Sequence, residues 1–286
     1  MYLKDDKIVA TIGNVVMRSS RLGHAREYIL DPTAVVGWLD GTAVRRDSTI
    51  RLSGSGDFPE KGKMSSRLIS FSGTAIAASI GDLQVMRDEF VGLLADGEYQ
   101  TLSVETQSAT RFATVALEEA TSWVQQGDTV AVWRITLYAP DPFIYGPEKV
   151  INLGATTSVA GGLDYPLDYP ISYNLQGDTP LNITVTNLGN VAAWPKFVVT
   201  GPYYSGFTVS DGRDRKVVYN GVVSRTSPVT IDMARGTALQ GGVDKTTLVS
   251  VRDWFPILPG EVMAPEFIPI QAASGYCDII VRDTYV

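Results

Sequence analysis

The chain has 286 residues, 44% hydrophobic and 19% charged, with a formal net charge of −7 and a pI near 4.8. This length is a soft prior for two domains, and the apolar share is enough for real cores, which excludes a disordered chain. The acidic balance excludes a surface built to grip nucleic-acid phosphates; Arg45-Arg46, the nearest thing to a basic block, reads as two solvated side chains.

The N-terminus, MYLKDDKIVATIG, carries acids where a signal peptide is basic, and no stretch approaches the ~20 apolar residues of a membrane span. A soluble, unprocessed chain is therefore expected. KIVATIGNVVM, STIRLSGSG and RLISFSGTAIA hold β-branched runs punctuated by glycine, the pattern of strands joined by turns. Between them lies His24, the only histidine, in the polar stretch RLGHAREY. A Ser-His-Asp or Cys-His mechanism would have to use it, and a multi-histidine metal site is impossible. With no matching nucleophile motif, His24 reads as solvated. SGSGDF, residues 53 to 58, is Gly-rich but lacks the lysine and following helix that phosphate binding needs.

The period changes in GDLQVMRDEFVGLLADGE. Leu83, Met86, Phe90, Leu93 and Leu94 fall on one helical face, predicting a helix over about 82–96 with Asp82 as N-cap and Gly97 in the left-handed turn beyond. Strands resume at QTLSVET and RFATVALEEATSWV, and Gly127-Asp128 suits a hairpin turn. In DTVAVWRITLYAP, Ala131, Trp133, Ile135 and Leu137 form a fully apolar face, as in a strand covering a core.

Pro140, Pro142 and Pro147 cannot donate to a ladder and should break the β region, and a Gly/Thr/Tyr/Pro-rich stretch follows. A domain boundary is expected here, giving domains 1–145 and 146–286. The second part shows no helix signal. Its short apolar runs (LNITVTNLG, FVVTGP, FTVSD, KVVYNG, PVTIDM, TLVSV, CDIIVRDTYV) at regular spacing with turn residues predict an all-β sandwich. Cys277, the single cysteine, sits in a strand pattern as a small core hydrophobe, so neither a disulfide nor a thiolate zinc site is expected. In NLGNVAAWPKFVVTGP, residues 187 to 202, Pro195 holds Trp194 extended and Gly201-Pro202 stops the strand. Trp194 reads as a corner or core residue, with an aromatic platform for a sugar as the alternative.

Together these pieces resemble the distal tail proteins of long-tailed, siphovirus-type phages. The resemblance rests on the N-terminal β/α part, the exit WRITLYAPDPFIYG, the opening NLGNVAAWPKFVVTGP, and KVVYNG, TIDMARGTALQGG, DWFPILPGE and DIIVRDTYV. It covers nearly the whole chain and is most specific over 187–281. The first 65 or so residues match only in character.

The resemblance implies a mainly β structural protein. Its N-terminal domain would be β-sandwich-like with one packed α-helix, and its C-terminal domain an all-β galectin-like sandwich. A homohexameric ring would join the tail tube protein to the tail-tip hub or tail-associated protein and to receptor-binding proteins. The ring would sit at the virion tail tip after assembly in the host cytoplasm. No catalytic residue, cofactor or metal comes with the resemblance, and no membrane contact. Genomic DNA would pass through without specific binding. Six copies would carry 6 × (−7) = −42, repulsive to a polyanion.

Two other readings compete. A carbohydrate-binding module for host cell-wall glycans would use the aromatic faces of Trp194, Tyr203, Tyr204 or Trp254. A glycosidase would need two carboxylates in a cleft, but the acids fall mostly at turns such as SDGRDR and GGLDYPLDYP, where Asp bonds its own backbone. The structural hub ranks first, the glycan binder second and the enzyme last.

Overall fold

The computed structural model describes residues 8–153, 183–271 and 274–286. The fold is mainly β, with one α-helix among the described residues. It divides into two compact units, Met1–Pro147 with Tyr285–Val286, and Glu148–Thr284. Most of the Gly/Tyr/Pro-rich stretch after Leu153, including GGLDYPLDYP, lies outside the described residues.

In the first unit the strands follow one another as Val130–Ala139, Arg67–Ala77, Arg26–Val36, Val15–Arg18, Val9–Ile12, Gln100–Glu105 and Thr110–Leu117. The ladder then returns on itself, because Ala116 and Leu117 pair with Tyr138 and Leu137. Every contact in this ladder is antiparallel except the short parallel one between Val15–Arg18 and Arg26–Val36. Such closure satisfies edges that would otherwise be open. Ser122–Gln125 adds a hairpin strand outside Val130–Ala139, through the turn at Gly127-Asp128.

The apolar face expected for Val130–Ala139 is the buried one: Ala131, Trp133, Ile135 and Leu137 are all fully enclosed. Trp133 lies opposite Gly73, where a Cβ would overlap the carbonyl oxygen of Ile29 and press the indole. Only glycine lets the two strands and the indole share that space.

The helix runs Ile80–Val91, earlier and shorter than its period suggests. Ser79, not Asp82, is the N-cap: its Oγ accepts from the Asp82 N–H at 3.1 Å and donates to the Asp82 carboxylate at 2.7 Å. The Ser79 hydroxyl is thus bound at both ends by Asp82, which moves the start back. Leu83, Met86 and Phe90 are buried from the helix, while Leu93 and Leu94 are buried from the turns that follow, with Leu94 at a φ of 58°. Gly97 takes the left-handed conformation expected of it. Phe90 stands among Tyr28, Trp123 and Trp133, with ring centroids 5.3 to 5.8 Å away.

Two expectations change. The proline-rich exit breaks the β structure only around Asp141, and strand Ile144–Leu153 runs straight through Pro147. Tyr145, two residues before it, pairs with Phe112 in the first unit, and the boundary between the units falls directly after Pro147. The strand expected in STIRLSGSG is only Thr49–Ile50 and stands outside the main ladder. It belongs to a slender arm in which Val44–Arg45 pairs with Lys63–Met64 and Thr49–Ile50 with Asp57–Phe58.

The second unit is a two-sheet sandwich. One sheet holds the last part of Ile144–Leu153, then Tyr276–Tyr285, Lys196–Thr200, Val229–Asp232, Thr237–Gln240 and Val243–Asp244. The other holds Val249–Arg252, Lys216–Tyr219, Phe207–Ser210 and Glu266–Pro269. Phe197, Ile231 and Ile279 from the first merge with Phe207, Val217 and Phe267 from the second in one core, which also encloses Cys277. Burial pushes the Cys277 thiol well above its ordinary pKa.

Asn187 opens the stretch NLGNVAAWPKFVVTGP and is fully buried. Its Nδ2 donates to the carbonyls of Val191 (2.7 Å) and Ile257 (3.0 Å); its Oδ1 accepts from the N–H of Gly189 (2.9 Å) and of Thr284 (3.4 Å). A fully satisfied buried amide of this kind fixes a corner. Gly189 is required beside it, since a Cβ would overlap the backbone of Thr284.

Truncation of Phe90 to alanine should remove the link between helix and sheet in the first unit. A loss of about 3–5 kcal/mol is expected in urea titration, with no change in strand content by circular dichroism.

Candidate functional site

Three described acids of the second unit, Asp211, Asp232 and Asp244, are engaged in turns. Asp211, in SDGRDR, accepts at Oδ1 from the N–H of Arg213 (2.9 Å) and Arg215 (3.2 Å), and at Oδ2 from Arg215 Nε (2.7 Å). The Arg215 guanidinium lies 5.4 Å from the Phe255 ring centroid and 3.5 Å from Glu261, which also pairs with Arg213 at 3.6 Å. Burial alone would raise the Asp211 pKa, but the hydrogen bonds from Arg215 and the backbone outweigh it and hold the carboxyl below its usual range. Asp232 caps the N–H of Ala234 and Arg235 in the same manner, and Asp244 the N–H of Thr246. Turn chemistry is therefore what these acids do, as their positions suggested.

In the first unit, exposed His24 lies on a shallow depression with Val16, Arg18, Ser20, Arg26, Glu27 and Tyr28. The one acid there, Glu27, accepts at Oε1 from the N–H of Leu22 (2.7 Å) and His24 (3.0 Å). The bond from His24 is the main reason that its pKa is lowered. That carboxylate shapes the loop. No group of three or more His, Cys, Asp or Glu arranged for a metal occurs among the described residues.

The four aromatics considered for sugar contact separate. Tyr204 is 71% exposed and Trp194 43%, so Trp194 is a corner residue and not a core one. Tyr203 is 1% exposed, its ring edge-on to Phe267 at 5.4 Å, and burial pushes its hydroxyl pKa up to about 12. It has no face to offer a sugar, because in extended backbone its neighbour Tyr204 takes the outward side. Trp254 is half-buried, packed against the second core and over the backbone of Gly236. Trp194 precedes strand Lys196–Thr200 and Tyr204 follows it, so five residues, roughly 17 Å of strand, stand between the two exposed rings. They do not make one binding surface.

The most exposed apolar surface was not among the candidates. Every residue from Ala43 to Lys61 is exposed, including Val44, Ile50, Leu52 and Phe58. Arg45 and Arg46 just before STIRLSGSG and Arg51 within it were the available sign that this stretch stays in water.

No protein-family model matches the sequence, and no curated protein does. Solved structures do. The chain is similar to the Dit protein of phage SPP1, described as a paradigm of the hub adsorption apparatus in phages infecting Gram-positive bacteria. The TM-score is 0.63 with 11% identity, over 98% of this chain and 99% of that one. It is also similar to a chain of the phage P2 baseplate in its calcium-activated conformation, with a TM-score of 0.51 and 11% identity over 97% of each chain. The chain therefore has the mainly β fold of these proteins from end to end.

Asp211 carries a pH expectation. Its pKa is lowered in the folded state, so its contribution is complete above the unfolded value of about 4 and is lost as pH falls through the lower folded value. The thermal midpoint of Asp211→Asn should lie below that of the parent at neutral pH, with the gap narrowing as pH drops from about 6 to about 3. Tyr204→Ala should leave the midpoint nearly unchanged, whereas Tyr203→Ala should cost about 3 kcal/mol in urea titration.

Proposed function

We propose that this chain is a structural tail-hub protein of a phage. In this reading six copies form a ring that joins the tail tube to the tail-tip and receptor-binding components, at the tip of the virion tail. The first unit would close the ring. The second, read as a galectin-like sandwich, would dock tail-tip proteins. Assembly would take place in the host cytoplasm. The observation that carries the proposal is the end-to-end likeness to the SPP1 Dit chain, which spans both units and not just one common β module.

Supporting it, the motifs that resemble distal tail proteins lie at defined places. NLGNVAAWPKFVVTGP is the corner pinned by Asn187, and DWFPILPGE supplies Phe255 to the core of the sandwich. The acids examined in the second unit serve turns, which fits a function through surfaces. A net charge of −7 per copy suits a channel that DNA crosses without sticking.

A second reading is favoured by one observation: Tyr204 and Trp194 present open aromatic faces that serve sugar binding elsewhere. Pull-down on cell-wall polysaccharide, lost on Tyr204→Ala or Trp194→Ala, would support glycan contact by the second unit.

Light scattering on the purified chain should give about 186 kDa, six times 31.0 kDa, and negative-stain images a ring with a central hole. A monodisperse 31.0 kDa species at every concentration and in the presence of tail-tube protein would overturn the hub reading.

A further inference from the structure

The arm between Gly37 and Arg67 has no counterpart elsewhere in the first unit. Its two short ladders, Val44–Arg45 with Lys63–Met64 and Thr49–Ile50 with Asp57–Phe58, are separate two-stranded sheets outside the main ladder. Leu52 is completely exposed and Ile50 75% exposed. An isolated two-stranded hairpin is marginal in water, and apolar side chains set out in a row on one are a mark of a surface awaiting cover.

Charge says what covers it. The segment from Ala43 to Met64 carries five bases (Arg45, Arg46, Arg51, Lys61 and Lys63) and three acids (Asp47, Asp57 and Glu60), a net of +2. The whole chain is −7, so the remainder is −7 − 2 = −9. Arg45 and Lys63 stand directly opposite one another in the ladder, with the exposed carboxylate of Asp47 3.9 Å from Arg45.

The same unit holds a surface of opposite character. The helix and the turns after it, from Ile80 to Glu98, carry Asp82, Asp88, Glu89, Asp96 and Glu98 against the single base Arg87. Ile80, Val85 and Val91 are exposed among them. This surface is acidic and partly apolar where the arm is basic and partly apolar.

The two features lie at opposite ends of one strand. The arm returns into Arg67, the first residue of Arg67–Ala77, and the helix cap Ser79 follows its last. Eleven residues of strand put roughly 35 Å between those ends. Joined between copies, such a pair of patches is a head-to-tail contact, the kind that closes into a ring.

We infer that the 43–64 arm of one copy seats on the acidic outer face of helix Ile80–Val91 and its following turns in the next copy. This contact rests on the ring reading and names the surfaces that would make the ring.

The test is charge reversal on each side, with the full chain, followed by light scattering. Arg45→Glu with Lys63→Glu should raise the concentration at half-assembly by about tenfold or more, with the thermal midpoint of the monomer unchanged because no residue from Ala43 to Met64 belongs to either core. Asp88→Lys with Glu89→Lys should do the same, and mixing the two variants should restore assembly. Ile50→Asp with Leu52→Asp should also weaken it. A ring that survives the arm variants intact overturns the arm contact while leaving the hub reading in place. Loss without rescue by mixing overturns the helix as its seat. A parent that stays monomeric with and without tail-tube protein overturns both. Retardation of a DNA duplex by the parent but not by Arg45→Glu/Lys63→Glu would assign the arm to nucleic acid and overturn the inference.

Discussion

A buried guanidinium hydrogen-bonded to backbone carbonyls sets the layout of the first unit. Arg67 is 2% exposed, and it donates through Nη1 to the carbonyls of Gly37 (2.6 Å) and Asp40 (2.8 Å) and through Nε to that of Pro142 (2.8 Å). Burial lowers its pKa, yet a guanidinium remains charged in any accessible range and must find acceptors. Carbonyl oxygens from two separate segments therefore have to come to it. One of them is the root of the arm, and the other is the break after strand Val130–Ala139. The β structure around the sheet can be regular because its two irregular exits are tied to one fixed charge.

The second unit solves a similar problem with neutral and acidic groups. Asn187 holds the corner before strand Lys196–Thr200 by using both ends of its amide. Beside it, buried Asp283 accepts from the N–H of Leu188 and pairs with Lys149 at 2.7 Å. The corner is thus stitched to the last long strand from two adjacent residues, Asp283 and Thr284. What looked in the sequence like a Trp-Pro motif turns out to depend on the asparagine seven residues before the tryptophan. Trp194 itself is left half in water.

Much of this was legible because local rules and burial agreed. The alternation from Ala131 to Leu137, the stripe from Leu83 to Leu94, and the Asp and Gly turns each follow from one periodicity or one turn preference. What was hidden depends on partners distant in sequence. Ser79 outcompetes Asp82 as a cap through a reciprocal bond that a periodic pattern does not display. Tyr203 and Tyr204 are chemically alike, and only the isolated bridge of Tyr203 to Val223 decides which one turns inward. The exposure of the arm was hidden for the same reason: β-branched residues favour an extended backbone whether or not a second layer comes to cover it.

The exposure of Ala43 to Lys61 has a temporal side as well. The bend at its tip, with Gly54 and Gly56 at positive φ and open space around both, is the sort of backbone that a protease can draw into its cleft without unfolding anything else. A newly made chain is therefore most vulnerable at the part that no core protects. Occupancy of that segment by any partner would act as a lifetime selector, sparing subunits that have been incorporated and leaving surplus ones to turnover.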